Sequence, residues 1–311
     1  MILLWGVADE SPLAAVRAEL EKLRVPYFVV DQRRALDCQV RLDQDSSLEH
    51  LVGAGEEIAL ADVTGCYLRP YDVRAVPAVA QAGPRSPEWT RALTLDESLL
   101  GWAEMTDVAV VNRPSAMLSN GSKPYQLSLI AAAGFAVPET LVTNDSGELD
   151  RFVERHRQVI YKSVSGMRSK VTRLSPATLL ERKQDLAHCP TQFQEHIAGV
   201  DYRVHVVGEE IFACEIRADS DDYRFPDGGR TPEISPVHLP EDVADRCRRV
   251  TAELGLLVSG IDLRRTVEQQ WYCFEVNPSP AFTFYEQYTD QPLAAAIARL
   301  LAGCARRARL H

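Results

Sequence analysis

Gly260-Ile261-Asp262-Leu263-Arg264, followed after the polar segment Thr266-Val267-Glu268-Gln269-Gln270 by Cys273-Phe274-Glu275-Val276-Asn277-Pro278, is the stretch that decides how this chain is read. In both halves apolar and polar residues alternate with period two, the pattern of strands with one buried face. The polar segment is long enough to turn the chain back, so a hairpin is expected. Glu275 and Asn277 lie two residues apart and point to one face, where Asp262 joins them if the strands pair. Two carboxylates and an amide oxygen make a hard-oxygen set suited to Mg²⁺, which takes few protein ligands beside nucleotide phosphates. Taken alone, the same residues equally describe an ordinary solvated strand face, because a D…ExN pattern is short.

The whole chain sets the frame. At 311 residues it exceeds one core of usual size, so two or three lobes are expected. Hydrophobic residues at 46% and charged residues at 25% describe a soluble globular composition. No apolar run approaches the ~20 residues that span a bilayer. Met1–Val7 lacks a basic flank and runs at once into Asp9-Glu10, so it reads as a first strand and not as a signal peptide. The seven cysteines contain no C-x-x-C pair and read as reduced, buried thiols of a cytoplasmic protein. The net charge of −10 argues against surface-wide binding to nucleic acid or anionic membrane, but it leaves room for a local basic cleft.

In chain order, residues 1–113 suggest a small open α/β domain. Strand Ile2–Val7, a helix capped by Ser11 with Pro12 at its first position, and strand Val25–Asp31 form a β-α-β unit. No G-x-G-x-x-G follows the first strand, so Asp31 reads as a strand-end cap and a dinucleotide site is poorly supported. A strand ending at Tyr67–Tyr71, a helix over 88–105 and strand Val108–Asn112 follow. Residues 114–197 form a second lobe: a helix from the cap Ser122 to Gly134, strand Glu139–Thr143, a helix from Gly147, strand Val159–Ser163, a loop and return strand over 164–172, a helix around 176–187, and strand Gln192–Ile197. Residues 198–311 hold strands over Asp201–Arg217, a helix from Pro240 to Leu254 with the apolar stripe Val243, Cys247, Val250 and Leu254, the hairpin, and a closing helix with a basic tail.

Three further groups of residues bear chemistry. Lys162 ends an apolar strand and opens into Ser163-Val164-Ser165-Gly166, a loop of small residues whose backbone N–H groups suit phosphate oxygens. The alternative is a lysine snorkelling from a strand edge. Asp201 and Arg203 share a strand face, as an acid for ribose hydroxyls beside an arginine for phosphate, or as a cross-strand ion pair of little value. Arg217 and Arg224 flank an acidic run, either as holders of an anionic substrate or as part of a solvated loop. His196 and His205 lack any metal-site spacing.

Read in order, these pieces resemble the ATP-grasp superfamily, in its glutathione-synthetase and RimK-like branch, with likeness to graspetide (microviridin-type) ligases. The resemblance covers most of the chain and is strongest over 108–301. It implies an α/β ATP-grasp fold: an N-terminal open α/β pre-ATP-grasp domain followed by two ATP-grasp lobes. It implies ATP and Mg²⁺, two ions, as cofactors. Lys123 and Lys162 correspond to the phosphate lysines, Ser165 and Gly166 to the phosphate-covering loop, and Gln194-Glu195-His196-Ile197 to the adenine hinge. Asp201 corresponds to the ribose acid, Arg203 to the phosphate arginine, and Asp262, Glu275 and Asn277 to the metal ligands. The loop departs from many relatives in having one glycine. Ala281 stands where small-molecule ligases often carry glycine, and Phe284-Tyr285-Glu286 is similar to the graspetide ligases, which leans the substrate toward a peptide.

The resulting expectation is an ATP-dependent carboxylate–amine ligase that forms an amide or ester bond through an acyl phosphate on a peptide or amino acid, with Arg203, Arg217 and Arg224 as catalytic candidates. A phosphotransferase and a non-catalytic nucleotide-binding regulator are the alternatives. Neither substrate is encoded in any readable motif, and a homodimer is left open.

Overall fold

The computed structural model describes residues 1–42, 48–53, 55–163, 172–175, 177–178, 185–218 and 231–308. The chain falls into two compact units, one of Met1–Met117, Gly255–Val258 and Ala281–His311, the other of Leu118–Leu254 and Ser259–Pro280.

In the first unit, strand Ile2–Gly6 pairs in parallel with Tyr27–Asp31 on one side and Gly65–Arg69 on the other, and Gly65–Arg69 pairs in parallel with Ala109–Val111. Ile2, Leu3, Leu4 and Trp5 are all buried, as a continuous apolar run requires when both faces of a parallel sheet are covered. Leu3 and Trp5 pack with Leu68, Leu95 and Leu99, the last two from helix Pro87–Met105. Helix Leu293–Ala308 packs on helix Ser11–Lys22 and on the sheet. Asp31 caps its strand, accepting from the Arg33 N–H at 3.1 Å, as the sequence suggested. The helix cap differs. Glu10 occupies the N-cap without a side-chain cap bond, and Ser11 is already helical. The Glu10 carboxylate is instead committed to Arg69, with both oxygens at 2.6 Å from the guanidinium.

Residues 39–59 hold an antiparallel sheet, Gln39–Leu42, Leu48–Gly53 and Glu56–Ala59, none of whose strands the sequence analysis places. Its strands are short, and they bury Leu51 and Ile58 into the larger core. Farther on, the buried Asn112 amide donates to the Val258 carbonyl at 2.7 Å and accepts from the N–H groups of Leu257 and Val258 at 2.8 and 3.2 Å.

The second unit carries two antiparallel arrangements. Thr191–Glu195 is central to the first, flanked by Thr140–Thr143 and Val159–Ser163, with Thr172–Arg173 outermost. Its inner face packs Leu149 and Phe152 of helix Ser146–Arg155 against Val159 and Phe193. The second is five-stranded, in the order Glu233–Val237, Glu210–Arg217, Val200–Val207, Val258–Arg265, Trp271–Asn277. Helix Glu241–Glu253 buries the expected stripe of Val243, Cys247 and Val250, but Pro240 sits one position earlier than expected, at the N-cap. The loop at 164–171, Gly228-Gly229 and most of the helix expected around 176–187 lie outside the described residues, where Asp185–His188 forms one 3₁₀ turn. Among the described residues no helix is long and apolar enough to cross a membrane.

Candidate functional site

The hairpin forms as the alternation required. Strands Val258–Arg265 and Trp271–Asn277 pair antiparallel, with Asp262 directly opposite Glu275 and Gly260 opposite Asn277. Directly opposed residues share a face, so the carboxylates of Asp262 and Glu275 and the Asn277 amide stand together. Among the described residues no three of His, Cys, Asp or Glu gather around a common point. The oxygen set here is two carboxylates plus an amide, which fits Mg²⁺ sharing its remaining positions with water or phosphate. Asn277 Oδ1 also accepts from the Ser279 N–H at 2.9 Å, which fixes the amide orientation.

Arg203 reaches this face from the neighbouring strand Val200–Val207. Its Nη1 donates to Asp262 Oδ1 at 2.7 Å and its Nε to His205 Nε2 at 3.3 Å. A Cβ at position 260 would overlap the Arg203 guanidinium, so Gly260 is what leaves room for it beside the carboxylates. Burial, with the charge of Arg203, pushes the His205 pKa well below its ordinary 6.5 and keeps the ring a neutral acceptor.

A group whose folded pKa is depressed gives stability that is full above the unfolded value and lost as pH falls below it. For His205 that loss begins near pH 6.5 and approaches ~1.4 kcal/mol per pH unit. Asp96, pushed up to about 6 by burial, contributes with the opposite sign. The difference between wild type and His205→Gln therefore isolates the histidine. Urea unfolding at pH 7.5 and 5.5 is expected to show a smaller loss in the variant, and equal losses would refute the assignment.

The outer edge of the hairpin is held by a residue to which the sequence analysis assigns no role. Gln126, on helix Lys123–Ala132, is buried. Its Nε2 donates to the Val276 carbonyl at 2.8 Å and its Oε1 accepts from the Val276 N–H at 3.0 Å. Val276 lies between Glu275 and Asn277, so one amide clamps the backbone that carries both. A glutamine among the buried positions of an otherwise apolar helix face (Leu127, Ile130) was the available signal. Lys123, the first residue of the same helix, is buried as well.

On the four-stranded sheet, Gln192 stands opposite Lys162, and Gln194 stands opposite Ile160 on one side and Thr140 on the other. Lys162, Gln192 and Gln194 therefore share a face, and all three are buried. Glu195 Oε1 accepts from the Glu139 N–H at 2.9 Å, and the His196 ring nitrogen Nε2 lies 3.3 Å from Arg173 Nη2. Ser165, Gly166 and Arg224 lie outside the described residues.

Arg173, His196, Asp201, Arg217 and Arg264 line a pocket of about 620 Å³. Asp201 is bound by both nitrogens of one edge of Arg264, at 2.7 and 2.8 Å, and Arg264 Nη1 donates to the Ile197 carbonyl at 2.8 Å. Asp201 and Arg203 thus each pair with a residue of the neighbouring strand Val258–Arg265, Asp201 with Arg264 and Arg203 with Asp262. The exposed Arg217 lies at the pocket lining and donates to Glu215 at 2.7 Å. Nearby, burial pushes the Cys214 thiol up to about 12 and the Cys273 thiol well above its ordinary range, so neither supplies a thiolate.

A family model of the RimK-like ATP-grasp domain matches residues 121–301. The chain belongs to that family. Among curated proteins it is 27% identical over 202 residues to a probable alpha-L-glutamate ligase of Pasteurella multocida, covering 61% of this chain and 63% of that protein. It is 26% identical over 262 residues to glutathione synthetase of Salmonella typhi, covering 76% of this chain and 73% of that enzyme. Among solved structures, the ATP-grasp ligase PsnB complexed with minimal precursor, Mg and ADP superposes with a TM-score of 0.81 at 26% identity, over 98% of this chain and 97% of that one. The chain thus spans less than two thirds of the first of these relatives and nearly the whole of the last.

Proposed function

We propose that this chain is an ADP-forming carboxylate–amine ligase acting on a peptide. The carrying observation is the shared face of Asp262, Glu275 and Asn277 with Arg203 buried against it. Bound there, Mg²⁺, as two ions, would offset charge developing on the ATP phosphates. In this reading Lys123, Lys162 and Arg203 bind the phosphates, with Ser165 and Gly166 in the covering loop. Gln194, Glu195, His196 and Ile197 take the adenine, and Asp201, oriented by Arg264, takes the ribose. Residues 114–197 and 198–311 act as the two ATP-grasp lobes, preceded by the domain of residues 1–113. The protein works in the cytoplasm.

The substrate carboxylate attacks the γ-phosphorus and ADP departs. An amine then adds to the acyl phosphate, and phosphate leaves as the amide forms. Arg217 and Arg224 steady the oxyanion of that addition. Support for a peptide comes from PsnB, solved in complex with the precursor peptide PsnA2.

The test is mass spectrometry of candidate peptides incubated with Mg·ATP. Loss of one water per turnover, matched by ADP, is the expected result. Gain of a phosphoryl group would assign a phosphotransferase, and nucleotide binding with no turnover on any carboxylate–amine pair would assign a binding protein.

A further inference from the structure

Gln192 sits in the middle of the four-stranded sheet with 0% exposure, and neither its Nε2 nor its Oε1 has a hydrogen-bond partner. A buried primary amide with both atoms unpaired destabilises the protein that carries it, and native structures rarely keep one without a use. Its strand neighbours are Lys162 on one side and Val142 on the other, and Gln194 lies two residues along on the same face.

Gln194 is half satisfied, and its orientation follows from its partner. The Thr140 hydroxyl donates to the Pro138 carbonyl at 2.9 Å, so that oxygen is left to accept. Gln194 must therefore offer Thr140 its amide Nε2, at 2.9 Å, which leaves Oε1 buried and without a partner. Together the two glutamines present a fixed acceptor, a further acceptor and a donor beside a lysine. The complementary ligand edge carries an amino group next to a ring nitrogen acceptor. Adenine has that edge at N6 and N7, the edge that glutamine and asparagine amides read in nucleic acids. Hypoxanthine and guanine carry a carbonyl at position 6, which would meet the Gln194 acceptor head-on.

We infer that Gln192 is a specificity-determining residue that reads the N6/N7 edge of the adenine base and, with Gln194, sets a preference for adenine over 6-oxopurine nucleotides. This rests on the proposal that the nucleotide binds on this face. A spacer role in the core would need no amide, and an apolar residue of the same length would serve it better.

The experiment compares calorimetric binding of Mg·ADP and Mg·IDP to wild type, Gln192→Met and Gln192→Leu, alongside the melting temperature of each protein without nucleotide. Wild type is expected to favour ADP. Both variants are expected to lose roughly tenfold or more in ADP affinity, to lose less for IDP, and so to narrow the ratio. Without nucleotide they should melt at or above the wild-type temperature, because an unpaired buried amide has been removed. An unchanged ADP affinity and ratio would overturn the inference. So would a fall in melting temperature that accompanies the loss of binding, which would mark a structural residue. Failure of wild type to bind either nucleotide would instead defeat the ligase proposal beneath it.

Discussion

Replacing Glu275 by Gln, or Asn277 by Ala, is expected to abolish ligation while the protein stays folded. Each side chain stands on a strand whose partner residue across the hairpin is Asp262 or Gly260, and each is only partly buried. Neither supplies the core, which on this strand comes from Cys273 and Val276 on the other side of the pleat. Under the proposed assignment Mg²⁺ is held by few protein groups and would lose a large share of its fixed ligation with either change. Removing several kcal/mol of charge stabilisation corresponds to roughly a thousandfold fall in ADP release. Asn277→Ala also removes the acceptor for the Ser279 N–H, at a cost of about 1 kcal/mol. The circular dichroism spectrum should therefore match wild type, with a slightly lower melting point for the alanine variant. Substantial ADP production by either protein would mean that this face is not the metal site.

How far the sequence reveals the site depends on whether a residue's role is local. The hairpin was legible because period-two alternation over two short runs fixes both the strands and the face that Asp262, Glu275 and Asn277 share. The helix Glu241–Glu253 was legible for the same reason at a different period. Partners that arise from pairing strands distant in the chain were not. Asp201 and Arg203 look like neighbours in a strand, yet each binds a residue about sixty positions on, Arg264 and Asp262, because the Val200–Val207 and Val258–Arg265 strands lie side by side. Gly260 looks like a strand residue of low propensity until the guanidinium above it is seen. The return of residues 281–311 to the first unit has no local mark at all, since an amphipathic helix does not say which apolar surface it will cover. The strands of 39–59 were not placed because each is only four to six residues long and charged residues interrupt the apolar pattern, as Glu49-His50 does between Leu48 and Leu51.

Gln126→Leu should both destabilise the protein and weaken its hold on metal. Trp271–Asn277 is an edge strand, so the outward N–H and C=O of Val276 have no strand to pair with, and the Gln126 amide replaces one. Leucine leaves both backbone groups buried and unsatisfied, at about 1–3 kcal/mol each, offset in part by the apolar side chain gained. A net loss of about 2–4 kcal/mol in urea unfolding is expected on that ground. A structural defect alone would stop there. Because Val276 separates Glu275 from Asn277, loosening it also spreads their positions, so the Mg²⁺ concentration for half-maximal ADP release should rise several-fold at temperatures where the variant is fully folded. Gln126→Glu supplies the discriminating control. Its carboxylate still accepts from the Val276 N–H but repels the Val276 carbonyl, whereas the protonated acid donates to it. Its folded pKa is therefore raised above the unfolded value of ~4.3, so the stability it contributes is present at low pH and lost as pH rises through the folded pKa. The Glu variant should thus approach wild-type stability on acidification, relative to Leu measured at the same pH. If Gln126→Leu melts like wild type, or needs no more Mg²⁺ when folded, the clamp on Val276 does not position the metal-binding strand.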